Sequence, residues 1–188
     1  MSLSIDQLAG YVDREPDADL ARRLPDEPRV GVAEPIRPVD PFLTKLPPDA
    51  ATALAAFDRK VRSETMPDFL DIEDWSYRFD FEANGCRILD SDCTTELSGD
   101  DVWSLGADGG GNYYVVLTSG RIAVWFHEEE VIEADTRYDN LDVFLWSAVR
   151  YRAVRSGSLE LAAVEPAFRA LGRPGALAPE IGPPALMS

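Results

Sequence analysis

The spacing of hydrophobic and polar positions changes along the chain, and each spacing predicts a different element. An amphipathic helix is predicted between Asp49 and Pro67, because apolar residues there lie three and four positions apart: Leu54, Phe57 and Val61. A second helix is predicted after the capping pair Asp139-Asn140, with one apolar face: Leu141, Phe144, Leu145, Ala148 and Val149. A last helix is predicted to begin near Pro166 and to end at Gly172. Helices are therefore expected on both sides of the central part of the chain.

Between these helices the spacing is that of strands. Trp75 to Phe81 alternates aromatic and polar residues, and the turn signal Asn84-Gly85 leads into Cys86 to Leu89, so a hairpin is predicted. Further strands are predicted at residues 101–105, 113–117, 121–127 and 131–134. The pattern has no alternating βαβ units. The chain is therefore predicted to have an α+β fold, in which an antiparallel β-meander of about five to six strands packs against flanking helices.

Proline is concentrated at the two ends of the chain. Eight of the first 48 residues are prolines, a composition that rarely sustains long helices or strands. Residues 1–48 are therefore predicted to form an extended arm with a short helix at Ile5 to Tyr11. Apolar residues would anchor this arm to the domain: Val30, Val32, Ile36, Val39, Phe42 and Leu43. Residues 173–188 are predicted to form a Pro-rich tail, which leaves residues 49–172 as the α+β domain.

The chain is strongly acidic, and the charge is concentrated in its middle. There are 34 acidic and 18 basic residues, for a formal charge of −16, and residues 46–149 hold 22 of the acids but seven of the bases. Such a field repels nucleic acid and anionic lipid and speeds association with a basic partner, although acidity can also serve solubility alone. We expect no nucleic-acid or membrane binding. The sequence has neither a long apolar run nor a secretory signal, so a cytoplasmic location is expected.

Familiar catalytic and metal-binding signatures are missing from the sequence. His127, the only histidine, lacks the second histidine of HExxH, and no GxSxG motif presents a serine. The glycines at 109–111 lack the Lys-Ser/Thr of a P-loop and are expected to turn the backbone. A divalent cation is conceivable at a cluster without EF-hand spacing: Asp90, Asp92, Glu96, Asp100 and Asp101. We nevertheless expect no catalytic residue, no cofactor and no metal. Free thiols are expected at Cys86 and Cys93, with a disulfide between them as the alternative.

Three segments carry a resemblance to a known family. The glycine-rich segment Trp103 to Asn112 leads into the strand-like run 113–117, the run 120–128 ends in Phe126-His127-Glu128, and Leu141 to Leu145 opens a helix. In this order they resemble the SUKH superfamily, which includes fungal cell-wall synthesis regulators and many bacterial toxin-immunity proteins. The resemblance covers residues 100–152 and weakens upstream, where the Leu-Pro, aromatic and Phe-Leu elements before Asn-Gly are not found in clean form. It implies a SUKH-like α+β fold that binds proteins.

We therefore expect a non-catalytic, immunity-type binding module that blocks a cognate toxin with a basic, nuclease-like surface. The alternative is an intracellular scaffold or regulatory subunit of the same fold, with the Pro-rich arm as a docking segment. A monomer or a weak dimer paired through an exposed edge strand is expected. Tyr113 and Trp125 are expected near the exposed side. The candidate interface residues are Asp90, Asp92, Asp100, Asp101, Asp108, Asn112, Tyr113, Trp125, His127, Glu128, Glu129 and Glu130.

Overall fold

Two fifteen-residue helices lie where the helical spacing predicts them. The computed structural model describes residues 4–14, 16–23, 37–63, 76–108, 110–133 and 138–172. Its helices are α1 (Tyr11–Arg14), α2 (Pro16–Arg23), α3 (Asp40–Leu43), α4 (Pro48–Arg62), α5 (Leu141–Arg155) and α6 (Leu161–Ala170), with 3₁₀ turns at Ile5–Leu8 and Gly99–Asp101. Asn140 caps α5 as predicted, because its side chain accepts a hydrogen bond from the Val143 N–H at 2.9 Å. The predicted start of the last helix near Pro166 is wrong: α6 begins at Leu161, and Val164 and Phe168 are buried one turn apart.

The strands form one antiparallel sheet in chain order. They are β1 (Val102–Ala107), β2 (Tyr113–Leu117), β3 (Ile122–Phe126) and β4 (Val131–Ile132). A β-bulge at Leu105 interrupts the register, since Ser104 pairs with Val115 and Gly106 pairs with Tyr114. Gly106 has a φ of 154°, which a residue with a side chain rarely adopts. The predicted meander and α+β class are confirmed, with four strands in the part of the chain that the structure describes.

The hairpin predicted before β1 is wrong for residues 76–89. Ser76, Tyr77 and Arg78 are all buried, so the alternation of aromatic and polar residues does not mark two opposite faces of a strand. Arg78 takes a φ of 63°, which ends extended pairing. Asn84-Gly85 does lie in a turn, closed by a hydrogen bond from the Cys86 N–H to the Phe81 carbonyl at 2.8 Å. Trp75 lies outside the described residues.

The sheet is buried on both faces. Helices α4 and α5 cover one face, and their apolar residues join those of the sheet in the larger core: Trp103, Leu105, Tyr114, Val116, Ile122 and Val124. Residues 79–98, which we call the covering loop, cover the other face. From this loop, Phe79 lies 4.7 Å from Tyr113 and Phe81 lies 4.9 Å from Trp125, measured between ring centroids. An irregular segment therefore takes the place that a second helical layer would fill.

The segment that precedes β1 also occupies both edges of the sheet. At β1, the Arg78 N–H donates to the Ser104 carbonyl at 3.0 Å. At β4, the Leu89 N–H donates to the Glu130 carbonyl and the Ile132 N–H donates to the Leu89 carbonyl, both at 2.8 Å. Backbone groups that an edge strand would expose are paired at these positions.

The first 48 residues are mostly helical where the structure describes them, and some of their apolar side chains are buried. Residues 5–8, 11–14, 16–23 and 40–43 are helical, so the extended conformation predicted for the arm is wrong there, while the short helix near Ile5 is found. Several side chains are buried in the larger core: Leu8, Tyr11, Val12, Val39 and Phe42. Pro16 and Pro41 lie in the first turns of α2 and α3, where proline is tolerated, and burial of the apolar residues stabilises these short helices. Val30, Val32, Ile36 and the tail at 173–188 lie outside the described residues.

An ion-pair network holds α2 against α5. The buried Asp19 carboxylate lies 2.8 Å from Arg150 and accepts hydrogen bonds from Tyr11, Arg22 and Arg23 at 2.6 to 2.8 Å. Burial alone would raise the pKa of Asp19, but Arg150 and the hydrogen bonds from the other three residues lower it to about 2. The charged carboxylate is therefore strongly favoured in the folded state.

We expect stability to fall as the pH drops from about 4 to about 2, because the folded pKa of Asp19 lies below the ordinary value of 3.8 and the unfolded state then binds more protons. Asp19→Asn should lower the free energy of unfolding by about 2 kcal/mol at pH 7, and by much less at pH 2.5. Urea unfolding of both proteins at the two pH values measures the difference. An equal loss at both values would contradict the assignment.

Candidate protein-binding surface

The covering loop and the turn after β3 form one continuous surface. Besides the two backbone hydrogen bonds of Leu89, the Arg87 N–H donates to the Glu130 carboxylate at 3.1 Å. From the sheet, the Trp125 indole N–H donates to the Arg87 carbonyl of the covering loop at 3.0 Å. The loop is thus tied both to the turn at residues 127–133 and to the core beneath it. We call the surface formed by residues 79–98 and 127–133 the acidic face.

The acidic face holds a large share of the charge of the chain. It contains nine acidic side chains and one basic side chain, Arg87, which itself lies 3.2 Å from Glu96. The formal charge of −8 is half of the −16 carried by the whole chain. The acidic residues are Asp80, Glu82, Asp90, Asp92, Glu96, Glu128, Glu129, Glu130 and Glu133. Because they lie on two segments bonded to each other, their fields add on one side of the protein.

Some of these carboxylates shape the backbone and others are available to a partner. Asp80 accepts a hydrogen bond from the Ala83 N–H at 3.0 Å, and Asp90 accepts one from the Thr94 N–H at 2.8 Å, which lowers the pKa of Asp90. In contrast, four exposed carboxylates make no hydrogen bond or ion pair with another described residue: Glu82, Asp92, Glu128 and Glu129. A partner can therefore contact these four without breaking bonds inside the described structure.

A cleft of about 480 Å³ opens in the acidic face. Its lining includes the acidic Glu82 and Glu96 together with Cys86, Ile88 and Leu97. This combination suits a lysine or arginine side chain, which has an apolar stem and a charged end. Glu82 and Glu96 are not among the predicted interface residues. Their charge and their nearness to Asp90 in the sequence are a signal from which they could have been predicted.

Two predicted interface residues lie at the other end of the sheet. Asp100 and Asp101 precede β1 and face bases from the N-terminal part of the chain: Asp100 lies 3.4 Å from Arg37, and Asp101 lies 3.1 Å from Lys45. The six residues of β1 place them about 20 Å from the turn at residues 127–133. Their charges are thus paired with bases, and Asp100 lies two residues from Ser98 of the acidic face, so their place in a partner interface stays a prediction.

Asp108 and Asn112 organise the turn between β1 and β2. Asp108 is buried, and its carboxylate accepts hydrogen bonds from the Gly110 N–H at 2.7 Å and from the Asn112 side chain at 2.7 Å. Asn112 in turn accepts a hydrogen bond from the His127 N–H at 3.2 Å. Gly111 has a φ of 96°, and a Cβ there would lie 3.1 Å from the His127 ring. Asp108 is therefore turned inward and is not an exposed charge, and Gly110 and Gly111 lie where the backbone turns, as predicted.

Tyr113 and Trp125 lie beneath the covering loop. Their side chains are 6% and 2% exposed, so the prediction that they lie near the exposed side is wrong. Aromatic residues from the covering loop pack on them, which a pattern of alternation does not reveal. Cys86 and Cys93 are unpaired, as expected, and burial together with Glu130 raises the pKa of the Cys86 thiol. In the described parts of the chain, no group of three potential ligands could hold a metal ion.

No helix among the described residues is long and apolar enough to span a membrane. Comparison of the chain with protein-family models, with curated proteins and with solved structures finds no match. The acidic face is thus the feature from which a function has to be argued.

Proposed function

We propose that this protein is a non-catalytic binding module whose acidic face docks on a basic surface of a partner protein. One observation carries the proposal: a continuous surface presents nine acidic side chains and one basic side chain, and four of its carboxylates have no described partner. Basic proteins reach such a surface faster than diffusion alone allows, and each charge pair that forms helps to fix the orientation of the complex.

The partner that fits best is a toxin that acts on nucleic acid. A nuclease needs a basic surface to hold phosphate groups, and an acidic protein that covers this surface blocks the substrate by occlusion. The cleft beside Glu82 and Glu96 would take a lysine or arginine of that surface. The resemblance to SUKH immunity proteins supports the same role. His127 packs against Gly111 and orders the β1–β2 turn, which supports a structural rather than a catalytic part for it.

The test uses the purified product of the neighbouring gene when that product is basic. Glu128→Gln with Glu129→Gln removes two charges from the acidic face, and Asp40→Asn with Glu160→Gln removes two exposed charges elsewhere. Stopped-flow association should slow about tenfold at 20 mM salt for the first variant and about twofold for the second. The two variants have the same net charge, so a difference between them reports the location of the charge.

Equal rates for the two variants would contradict docking at the acidic face. Survival of cells that express the neighbouring protein measures the biological role. If that protein is toxic alone and harmless with the wild-type chain, the immunity role is supported. If it binds the acidic face without being toxic, the scaffold alternative is supported instead.

A further inference from the structure

A second concave surface lies on the opposite side of the sheet. It is a groove of about 400 Å³ between the 3₁₀ turn Ile5–Leu8 with α1, the first turn of α4 and the first turn of α5. These elements pack on the helical face of the sheet, which is opposite the face that the covering loop covers. The groove is therefore separate from the acidic face, and its role does not depend on the function proposed above.

One wall of the groove is apolar and partly exposed. Ile5 and Ala9 are exposed there, whereas Ala50 is partly buried and Ala53 is buried. Among the large apolar side chains that the structure describes, Ile5 and Leu161 stand out as exposed, at 36% and 48%. An apolar side chain that enters the groove would bury the exposed part of Ile5, which makes Ile5 the natural contact for such a side chain.

The rim of the groove is acidic. Asp6, Asp13 and Asp49 line it, and none of the lining residues that the structure describes is basic. Asp13 pairs with Arg59 at 2.9 Å, whereas the Asp6 and Asp49 carboxylates make no ion pair or hydrogen bond with another described residue. The charge of the rim therefore complements a cation and repels an anionic ligand.

The walls of the groove are held in place from inside. The buried Asp142 carboxylate accepts hydrogen bonds from the Gly10 N–H at 3.0 Å and from the Val12 N–H at 2.9 Å, which fastens the N-terminal segment to α5. The Asp13–Arg59 pair fastens the same segment to α4. A site formed before binding loses less conformational entropy when a ligand enters.

From the apolar wall, the acidic rim and the preformed shape, we infer that the groove binds a cationic amphipathic segment of a partner protein. An apolar side chain of that segment packs on Ile5, Ala9 and Ala50. Its lysine or arginine side chains lie against Asp6 and Asp49. This is a second docking surface, and it selects for alternating apolar and basic residues rather than for charge alone.

The probes are three ten-residue peptides: one of leucine and lysine, one of leucine and glutamate with the same leucine positions, and one of serine and lysine. Two-dimensional ¹H–¹⁵N NMR titration of the full chain locates where each peptide binds. The leucine-lysine peptide should shift the amide signals of Ile5, Ala9, Gly10, Thr52 and Ala53. The serine-lysine peptide should shift only signals of the acidic face, and the leucine-glutamate peptide should shift neither set.

Matched variants separate groove binding from general attraction to an acidic protein. Ile5→Ser should lower the affinity for the leucine-lysine peptide about tenfold. Leu161→Ser changes the other exposed large apolar residue of the described structure, and it should alter this affinity by no more than about twofold. Asp6→Lys with Asp49→Lys should abolish the groove shifts, whereas Glu128→Lys with Glu129→Lys should retain them.

The inference would be overturned if the leucine-lysine peptide shifted only amide signals of residues 79–98 and 127–133. It would also be overturned if the peptide shifted no amide signal of the protein. Equal effects of Ile5→Ser and Leu161→Ser would do the same. Circular dichroism of each variant checks that the fold is intact. Failure of these experiments leaves the acidic-face proposal standing, because that proposal is tested by Glu128 and Glu129, which do not line the groove.

Discussion

Asp58→Ala is expected to lower the free energy of unfolding by about 4 kcal/mol. Asp58 is buried on α4, where it forms an ion pair with the buried Arg78 and accepts a hydrogen bond from the Tyr77 hydroxyl at 2.7 Å. Arg78 also packs over the Tyr77 and Trp103 rings, at 4.8 and 5.7 Å from their centroids. Removal of the carboxylate leaves the guanidinium charge enclosed without its counterion. Urea unfolding followed by circular dichroism measures the loss.

Two companion variants separate the buried charge from simple loss of contacts. Arg62 also pairs with Asp58, at 2.7 Å, but its side chain is 42% exposed, so Arg62→Met should cost at most about 1 kcal/mol. Asp58→Leu with Arg78→Met removes both buried charges and should recover about half of the loss caused by Asp58→Ala. A double variant that is no more stable than Asp58→Ala alone would count against an uncompensated charge as the cause.

Phe81→Ala is expected to lower the free energy of unfolding by about 4 kcal/mol, because Phe81 is fully buried and its ring packs against that of Trp125 beneath the covering loop. Its ring also lies 5.0 Å from that of Phe79 and 6.0 Å from that of Tyr113. Phe81→Leu keeps most of the apolar volume and should cost about 1 kcal/mol. Thermal and urea unfolding measure both variants.

Phe81→Ala should also change amide hydrogen exchange in one part of the protein. Loss of Phe81 weakens the contact between the covering loop and the sheet, so amide hydrogen exchange should accelerate at residues 79–98 more than in α5. Uniform acceleration throughout the chain would show that the loop and the helical side unfold together. The acidic face would then share the stability of the whole fold.

The elements that could be predicted from the sequence are those whose pattern follows from local burial. The spacing of Leu54, Phe57 and Val61 reports one buried helix face, and it places α4 correctly. The runs at 113–117 and 122–126 are apolar throughout, as suits strands covered on both sides. Residues 76–81 misled the prediction because aromatic residues are also needed to cover a sheet from an irregular loop. Alternation alone does not separate that use from a strand.

The candidate surface could be predicted only in part, because the sequence shows where charges cluster but not which of them are paired in the fold. Clusters of charge are visible in the sequence, and Glu128 and Glu129 are exposed, while their contact with a partner stays a prediction. Whether a carboxylate stays available depends on residues distant in the chain. Asp101 meets Lys45, which lies 56 positions away, and Asp108 turns inward to Asn112. Such pairings follow from tertiary structure, which a single sequence does not display.

The occupied edges of the sheet affect how a partner can recognise this protein. A partner that adds a strand to β1 or β4 has to displace the segment at Arg78 or Leu89 first, and a dimer formed by strand pairing meets the same obstacle. Recognition by β-augmentation is therefore disfavoured at these positions. A partner that docks there would instead contact side chains. Substitutions on the outer surface of the covering loop can then change partner specificity without altering the backbone hydrogen bonds that define the fold.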